Sequence, residues 1–497
     1  MKQVSSLSDA GPQTASLKKL VLSGVFWQGL SNGGSFAINF VITVILARLL
    51  MPEDFGIVAI ISVFIAVFGV FIDSGFSSAL IQRKDLRPED CSSVFFVNLV
   101  IAGTVYALLF VSAPWIADFY NRKDLTLFIR VLALVMIIRS FSIVQGTLIT
   151  RNMQFHLNFR ISLISLILSG SLGVLMAFQG FGAWALITQT LCGGVITCLL
   201  QWYWGKWRPI LKIDFRRLKE MFQFGWKLLC SAMLDCVYNN LYSILIGKLF
   251  NLSILSFYDR GKHIPNSGIG IINTTLGQVL FPAFSTIQDN KEKLRILMQK
   301  SLKTIMFLVI PVLAMLFVLA EPLVMVLYGE KWLSAVPFLQ IFCIVFLFWP
   351  LHTINLQLLT ACGRSDVFLI LEIIKKVQII PVILLTYPHG VIAMATGSAV
   401  MAPIGFIENA WMSKKLANYG TLKQSFDLLP ILGIAIVSAI AAWLSIGFIA
   451  NIYFKVIAGG LVFGIIYLTG TLVCHQIPED GKRIIFDKIS LKKVFIK

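Results

Sequence analysis

Two stretches set 200 positions apart decide how this chain is organised: SNGGSFAINFVITVILARLL (31–50) and SAMLDCVYNNLYSILIGKLF (231–250). Both are long apolar runs with polar residues at the same places. Ser31, Ser35 and Asn39 fall on Ser231, Asp235 and Asn239 without a gap, and Ala47-Arg48 falls on Gly247-Lys248. A spacing of i, i+4, i+8 puts each trio on one face of a helix, so each run reads as an apolar helix with one polar stripe. Gln28, Asn32 and Thr43 widen the first stripe; Lys227, Tyr238 and Tyr242 widen the second. Shared leucines mean little between two apolar helices. A coincident polar stripe points to a duplicated unit.

Composition says what those units are embedded in. Of 497 residues, 57% are hydrophobic and 13% charged, against roughly 45–50% and about 25% in soluble domains. No soluble interior hides that much apolar surface, so lipid must solvate part of it. A soluble enzyme, a disordered chain and a secreted disulfide scaffold are excluded. Fourteen runs are long enough to cross a bilayer, which takes roughly 20 apolar residues. They are 22–47, 55–81, 93–117, 125–150, 159–179, 182–204, 224–250, 254–284, 302–327, 335–361, 367–387, 390–412, 426–448 and 453–475. The eighth is interrupted by Pro265, Gly268 and Gly270. Continuous runs of this length are helices, not the alternating strands of a barrel. The first 20 residues are polar and no short apolar core with a cleavage site follows, which predicts an uncleaved first helix.

The expected fold is therefore an all-α polytopic membrane protein with about 14 transmembrane helices. The offset spans six helices, an even number, so the two halves enter the membrane in the same direction as parallel repeats, an arrangement in which substrate is handled between the halves. The expected division is a six-helix lobe over 1–204, an amphipathic cytoplasmic linker over 205–223, a second six-helix lobe over 224–412, and two extra helices with a basic tail over 413–497. The linker contains ILKIDFRRLKEMF (210–222), whose alternating basic and apolar residues predict a helix along the membrane surface.

The net charge of +18, from 42 Lys and Arg against 24 Asp and Glu, is mostly topology. With a cytoplasmic N-terminus, 29 of the 42 fall in cytoplasmic segments and only Arg48, Arg122, Lys123, Lys331 and Lys455 fall opposite. That is the positive-inside bias, and it places both termini in the cytoplasm. No polar domain carries a basic patch, which excludes nucleic acid as a partner.

The remaining cations lie within spans, where charge is costly and marks a pathway. The embedded set is Asp73, Arg130, Arg139, Lys227, Asp235, Lys248, Asp259, Arg260, Lys262, Glu372, Lys375, Lys376 and Glu408. Arg130 and Lys248 sit close enough to span ends to reach the interface. Glu372 and Lys375, one turn apart, neutralise each other and leave Lys376 over. Arg139 stands near the middle of the fourth span without a local carboxylate, as expected of a water-filled lumen or an anionic ligand. The candidate lumen residues are thus Gln28, Asn32, Asn39, Arg139, Lys227, Asp235, Asn239, Asp259, Arg260, Lys262 and Lys376. Asp73, Asp235, Glu372 and Glu408 are candidate coupling acids. A mildly cationic lumen suits phosphate, pyrophosphate or acidic sugar.

The eight cysteines form no C-x-x-C pair and the five histidines show no metal spacing, so no metal or cofactor is expected. No phosphate-binding lysine loop is present. Every loop between spans is too short to hold the catalytic groups of a membrane-embedded sugar transferase or polymerase, which argues against an enzyme.

The stretch Phe26-Trp27 … Ala47-Arg48-Leu49-Leu50-Met51-Pro52-Glu53-Asp54-Phe55-Gly56, with Tyr258-Asp259-Arg260 and Leu280-Phe281-Pro282, resembles Wzx-type polysaccharide and lipopolysaccharide exporters of the colanic-acid branch. These belong to one superfamily with MATE drug exporters and the lipid II flippase. The resemblance implies a fourteen-helix flippase of the bacterial inner membrane. Its cargo would be an undecaprenyl-pyrophosphate-linked oligosaccharide, moved from the cytoplasmic to the periplasmic leaflet for surface polysaccharide assembly. Implied partners are that lipid-linked substrate, membrane lipids, and a polysaccharide polymerase with its chain-length regulator. The alternative is a MATE-like, cation-coupled exporter of small molecules; such exporters usually have twelve spans, and the two extra helices weigh against it.

Overall fold

The computed structural model describes residues 33–474 apart from Ser74 and Lys84, together with Gln476; the side chains of Asp73, Phe224, Lys227, Leu228 and Gln278 are outside the described set. Every regular element among the described residues is a helix, with no strand. They pack as two compact units, Met1–Leu255 and Ser256–Lys497.

The first unit contains α1 (Gly33–Leu49), α2 (Pro52–Asp73), α3 (Phe76–Gln82), α4 (Pro88–Phe119), α5 (Leu125–Leu132), α6 (Leu134–Arg151), α7 (Phe155–Phe178), α8 (Ala183–Trp204) and α9 (Phe215–Leu249). The second is built on α10 (Leu252–Ser285), whose first turn is counted with the first unit. It continues through α11 (Lys291–Val318), α12 (Ala320–Leu327), a 3-10 segment (Glu330–Ala335), α13 (Val336–Leu347), α14 (Trp349–Ala361), α15 (Ser365–Thr386), α16 (Val391–Ala417), α17 (Thr421–Gly447) and α18 (Ile452–Val473).

Eleven of the fourteen expected spans are helices long and apolar enough to cross a bilayer. The other three are also helices. The described part of the first, Gly33–Leu49, is short. The α10 and α15 helices have the length but carry Asp259, Arg260 and Lys262, and Glu372, Lys375 and Lys376. The number fourteen therefore rests on one short apolar helix and two charge-bearing ones.

Local geometry differs from the expected boundaries at three places. The second span is not continuous: α2 ends at Asp73 and α3 starts after Gly75, whose φ of 73° is the left-handed region that glycine enters without strain. The eighth is unbroken, because α10 runs through Pro265 and Pro282; a helix surrounded by protein or lipid tolerates proline when the freed carbonyls find other partners. Finally, 210–222 is not a helix of its own. Residues 205–213 form no regular element, and Asp214 caps α9 by accepting from the Arg216 and Arg217 amides (both 3.1 Å). The basic, apolar turns that follow are the start of a 35-residue helix.

The offset seen in sequence survives as element order. Helices α1 and α9 end at Leu49 and Leu249, and α2 and α10 begin at Pro52 and Leu252. Later joints repeat as well: Asn121 (φ 55°) and Gly329 (φ 90°) follow corresponding helices, as do Met153 (φ 53°) and Gly363 (φ 73°). Each unit has its own apolar interior. In the first, Phe76, Leu80, Val94, Phe95 and Val144 pack together; in the second, Phe284, Met298, Leu302, Ile354, Leu358 and Tyr467 do.

Candidate substrate-handling sites

The exporter-like signature at 47–56 is structural. Pro52 opens α2, where a missing N–H costs nothing, and Asp54 accepts from the Met51 amide (2.9 Å). Glu53 pairs with Arg122, which also grips Asp124 (2.7 Å) and holds that carboxyl well below its ordinary range. A Cβ on Gly56 would run into the Leu252 carbonyl, so only glycine lets α2 approach the start of α10. Gly247 is less constrained: a Cβ there would stand 2.6 Å from the tip of the Ile60 side chain, which can move, and not from backbone. Lys248 donates to the Phe119 carbonyl and lies over the Phe119 ring (4.4 Å), so it is a helix-end anchor. Arg130 likewise lies over Phe110 (4.2 Å) and donates to its carbonyl (3.2 Å).

Arg139 is different. It projects from α6 into a cavity of about 370 Å³ within the first unit, lined also by Ala66 and Gly69 of α2, Ser142 and Gly146 of α6, and Gln201 of α8. The side chain is exposed and has no ion-pair partner among the described residues. The Gln201 Oε1 is buried there without a hydrogen-bond partner. The Arg139 guanidinium is suited to an oxyanion, whereas the orphaned Gln201 Oε1 is an acceptor that calls for a donor such as a hydroxyl or a water.

The two stripes are only partly described. Asn39 on α1 is half-buried; Asp235 and Asn239 on α9 are exposed. Gln28 and Asn32, and the Lys227 side chain, lie outside the described residues, as does the side chain of Asp73.

In the second unit, α10 carries Asp259, Arg260 and Lys262 within two turns. Tyr258 beside them is buried edge-on against Phe342 (5.1 Å), and a Cβ on Gly261 would meet Phe338 Cβ at 2.6 Å and Leu339 N at 2.7 Å. That close crossing fixes the charged turn of α10 against α13.

A second polar cluster joins α14, α15 and α16. Lys375 pairs with Glu372, one turn away. Gln378 donates to Glu408 Oε1 (2.6 Å), and Asn409 bonds His352 Nδ1 (3.0 Å). Lys375 and His352 converge over Gly405, where a Cβ would stand 3.4 and 3.1 Å from them. Three oxygens here are buried with no partner among the described residues: Glu408 Oε2, Gln378 Oε1 and Asn409 Oδ1. Orphaned buried oxygens are rare and mark a place where a proton, cation or water completes the bonding. Lys376, on the same helix, is half-buried. Sequence reading found the charges but missed Gln201, Gln378, Asn409 and His352. Their only signal was a neutral polar residue inside an apolar run, which resembles many helix–helix hydrogen bonds. No group of three or more metal-ligating side chains occurs among the described residues.

Comparison with known proteins agrees with these features. The chain is 26% identical to the teichuronic acid biosynthesis protein TuaB of Bacillus subtilis, covering 71% of this chain and 73% of that one. It is 27% identical to the lipopolysaccharide biosynthesis protein WzxC of Escherichia coli, covering 79% of each. The succinoglycan biosynthesis transport protein ExoT of Rhizobium meliloti is 28% identical over 65% of each. In fold, the chain superimposes on the lipid II flippase MurJ with a TM-score of 0.74 over 90% of this chain and 98% of that one, at 15% identity. An inward-facing MATE multidrug transporter gives 0.59 over 77% and 96%, at 17% identity. The sequence model of the polysaccharide biosynthesis protein family matches residues 45–337, and this chain belongs to that family.

Proposed function

We propose that this chain is a flippase for an undecaprenyl-pyrophosphate-linked oligosaccharide, moving the repeat unit from the cytoplasmic to the periplasmic leaflet of a bacterial inner membrane by alternating access. The observation that carries the reading is family membership over 45–337 together with a fold shared, at a TM-score of 0.74, with a lipid flippase. The physics is consistent with it. Moving a glycolipid requires a polar route for the head while the prenyl chain stays in lipid, and Arg139 in its cavity supplies a cation for pyrophosphate or acidic sugar. In the first unit Asn39 on α1, Lys227, Asp235 and Asn239 on α9, and Gln28 and Asn32 are the further residues proposed to handle substrate; in the second they are Asp259, Arg260, Lys262 and Lys376.

Glu408 is the strongest of the four coupling acids, because one of its oxygens is buried without a partner while Glu372 is neutralised by Lys375. The charge distribution of 29 against 5 supports cytoplasmic termini. We read the chain as a transporter and not an enzyme, working with lipid-linked substrate, membrane lipids, and a polymerase and chain-length regulator downstream. The MATE-like alternative has weaker support in the fold comparison, at 0.59.

Deleting the gene and identifying the accumulated lipid by mass spectrometry tests the reading. Lipid-linked repeat units stranded at the cytoplasmic leaflet are expected. Unchanged glycolipids with raised drug sensitivity favour the MATE-like alternative.

A further inference from the structure

A cavity of about 790 Å³ opens at one end of the first unit, where α4 and α7 begin and α6 and α8 end. Four cations line it: Arg87, Arg151, Lys206 and Arg208. Its one acid, Asp85, is already taken by Arg83 (3.4 Å) and Arg217 (3.1 Å), and the Arg217 hydrogen bond holds that carboxyl below its ordinary range. Arg151, half-buried, and Arg208, exposed, are aimed by backbone carbonyls. Arg151 donates to Leu80 and Ile81 (3.1 Å to the latter), and Arg208 to Gly205 (2.7 Å), Trp207 (2.8 Å) and Trp202 (3.0 Å). Carbonyls orient a guanidinium without cancelling its charge. Arg87 and Lys206 are exposed and have no carboxylate partner among the described residues.

The cavity is also held open. The segment over it is pinned by the Ile210 and Asp214 amides donating to Ser92 and Ser93 Oγ (both 2.9 Å), and by Gln145 donating to the Trp207 carbonyl (2.8 Å). These two serines are fully buried at the start of α4, a place where polar residues would otherwise be out of keeping. Apolar wall is supplied by Leu148, Leu157 and Trp204, beside the neutral polar side chains of Asn152, Gln154 and His156. Unneutralised cations beside apolar and indole surface, at the ends of membrane-spanning helices, match a charged lipid head with its chain beginning alongside.

We propose that this cavity binds the phosphate of an anionic membrane lipid, separately from the transport route around Arg139. The probe is cardiolipin, presented to the full-length protein in detergent and counted as retained lipid by native mass spectrometry, with phosphatidylcholine for comparison. Wild type retains cardiolipin and not phosphatidylcholine. The double substitution Arg87→Gln/Lys206→Gln removes two exposed cations that no carboxylate among the described residues uses, and weakens cardiolipin retention by about 10- to 30-fold. Lys291→Gln/Lys293→Gln, on the second unit, changes net charge equally and leaves retention unaltered. Equal retention by wild type and the first double variant overturns the site, as does an equal loss in both double variants. If wild type binds inorganic pyrophosphate but no cardiolipin, the lipid assignment is wrong.

Discussion

At the scale of single residues, the embedded charges divide by what each one touches. Lys248 and Arg130 are spent on carbonyls and ring faces at helix ends, and Lys375 is spent on Glu372. Arg139 has no such partner among the described residues and faces a cavity. Arg139→Gln is expected to abolish export while leaving protein abundance and thermal stability unchanged, measured as surface polysaccharide against membrane-fraction immunoblot. Export at the wild-type level would remove it from the route.

The Arg122 clamp makes a pH-dependent prediction. Because Asp124 is held below its unfolded value near about 4, its stabilising contribution is present above that pH and is lost as pH falls through the lower folded value. Arg122→Gln should therefore melt below wild type at pH 7 by an amount equivalent to about 1 kcal/mol for a half-exposed pair. The difference should persist to pH 5 and close under stronger acid. A difference that shrinks between pH 7 and 5 contradicts this.

At the scale of elements, glycine and buried pairing decide how helices meet. Gly261 lies where α10 touches the backbone of α13, so Gly261→Ala must push two helices apart. Overpacking costs about 1–3 kcal/mol, and a lowered melting temperature with reduced export is expected; an unchanged melting curve means the crossing relaxes freely. Asp90 of α4 is fully buried and pairs with Arg217 of α9 at 2.6 Å. Asp90→Ala leaves the guanidinium with Asp85 as its one carboxylate partner among the described residues and should destabilise by about 2–3 kcal/mol, read by thermal unfolding in detergent.

Elements were also where sequence reading was weakest. Apolar length located the helices, because lipid demands it, but left-handed joints such as Gly75 and the continuity of α10 through two prolines depend on neighbours that sequence spacing does not encode.

At the scale of the whole molecule, the duplication was legible because polar residues inside apolar helices are costly and therefore distinctive. Ser35 and Asn39 against Asp235 and Asn239 exposed it, and the matched ends at Leu49 and Leu249 give it a backbone counterpart. The candidate sites were half legible. Charges announce themselves in a hydrophobic chain, whereas Gln378 and Asn409 look like ordinary helix glue until their unpaired oxygens are seen. If both stripes serve one route, Asn39→Leu and Asn239→Leu should each reduce export; an effect confined to one contradicts a shared role.

The most direct test of the flippase account is transfer itself. The purified protein is reconstituted into liposomes holding an undecaprenyl-pyrophosphate-linked oligosaccharide with a labelled head, under an imposed pH gradient of either sign. An impermeant reagent then reports which leaflet holds the label. The account predicts protein-dependent movement of the head between leaflets, lost in Arg139→Gln. Label that stays in its original leaflet at the rate of protein-free liposomes, under both gradients, would contradict it.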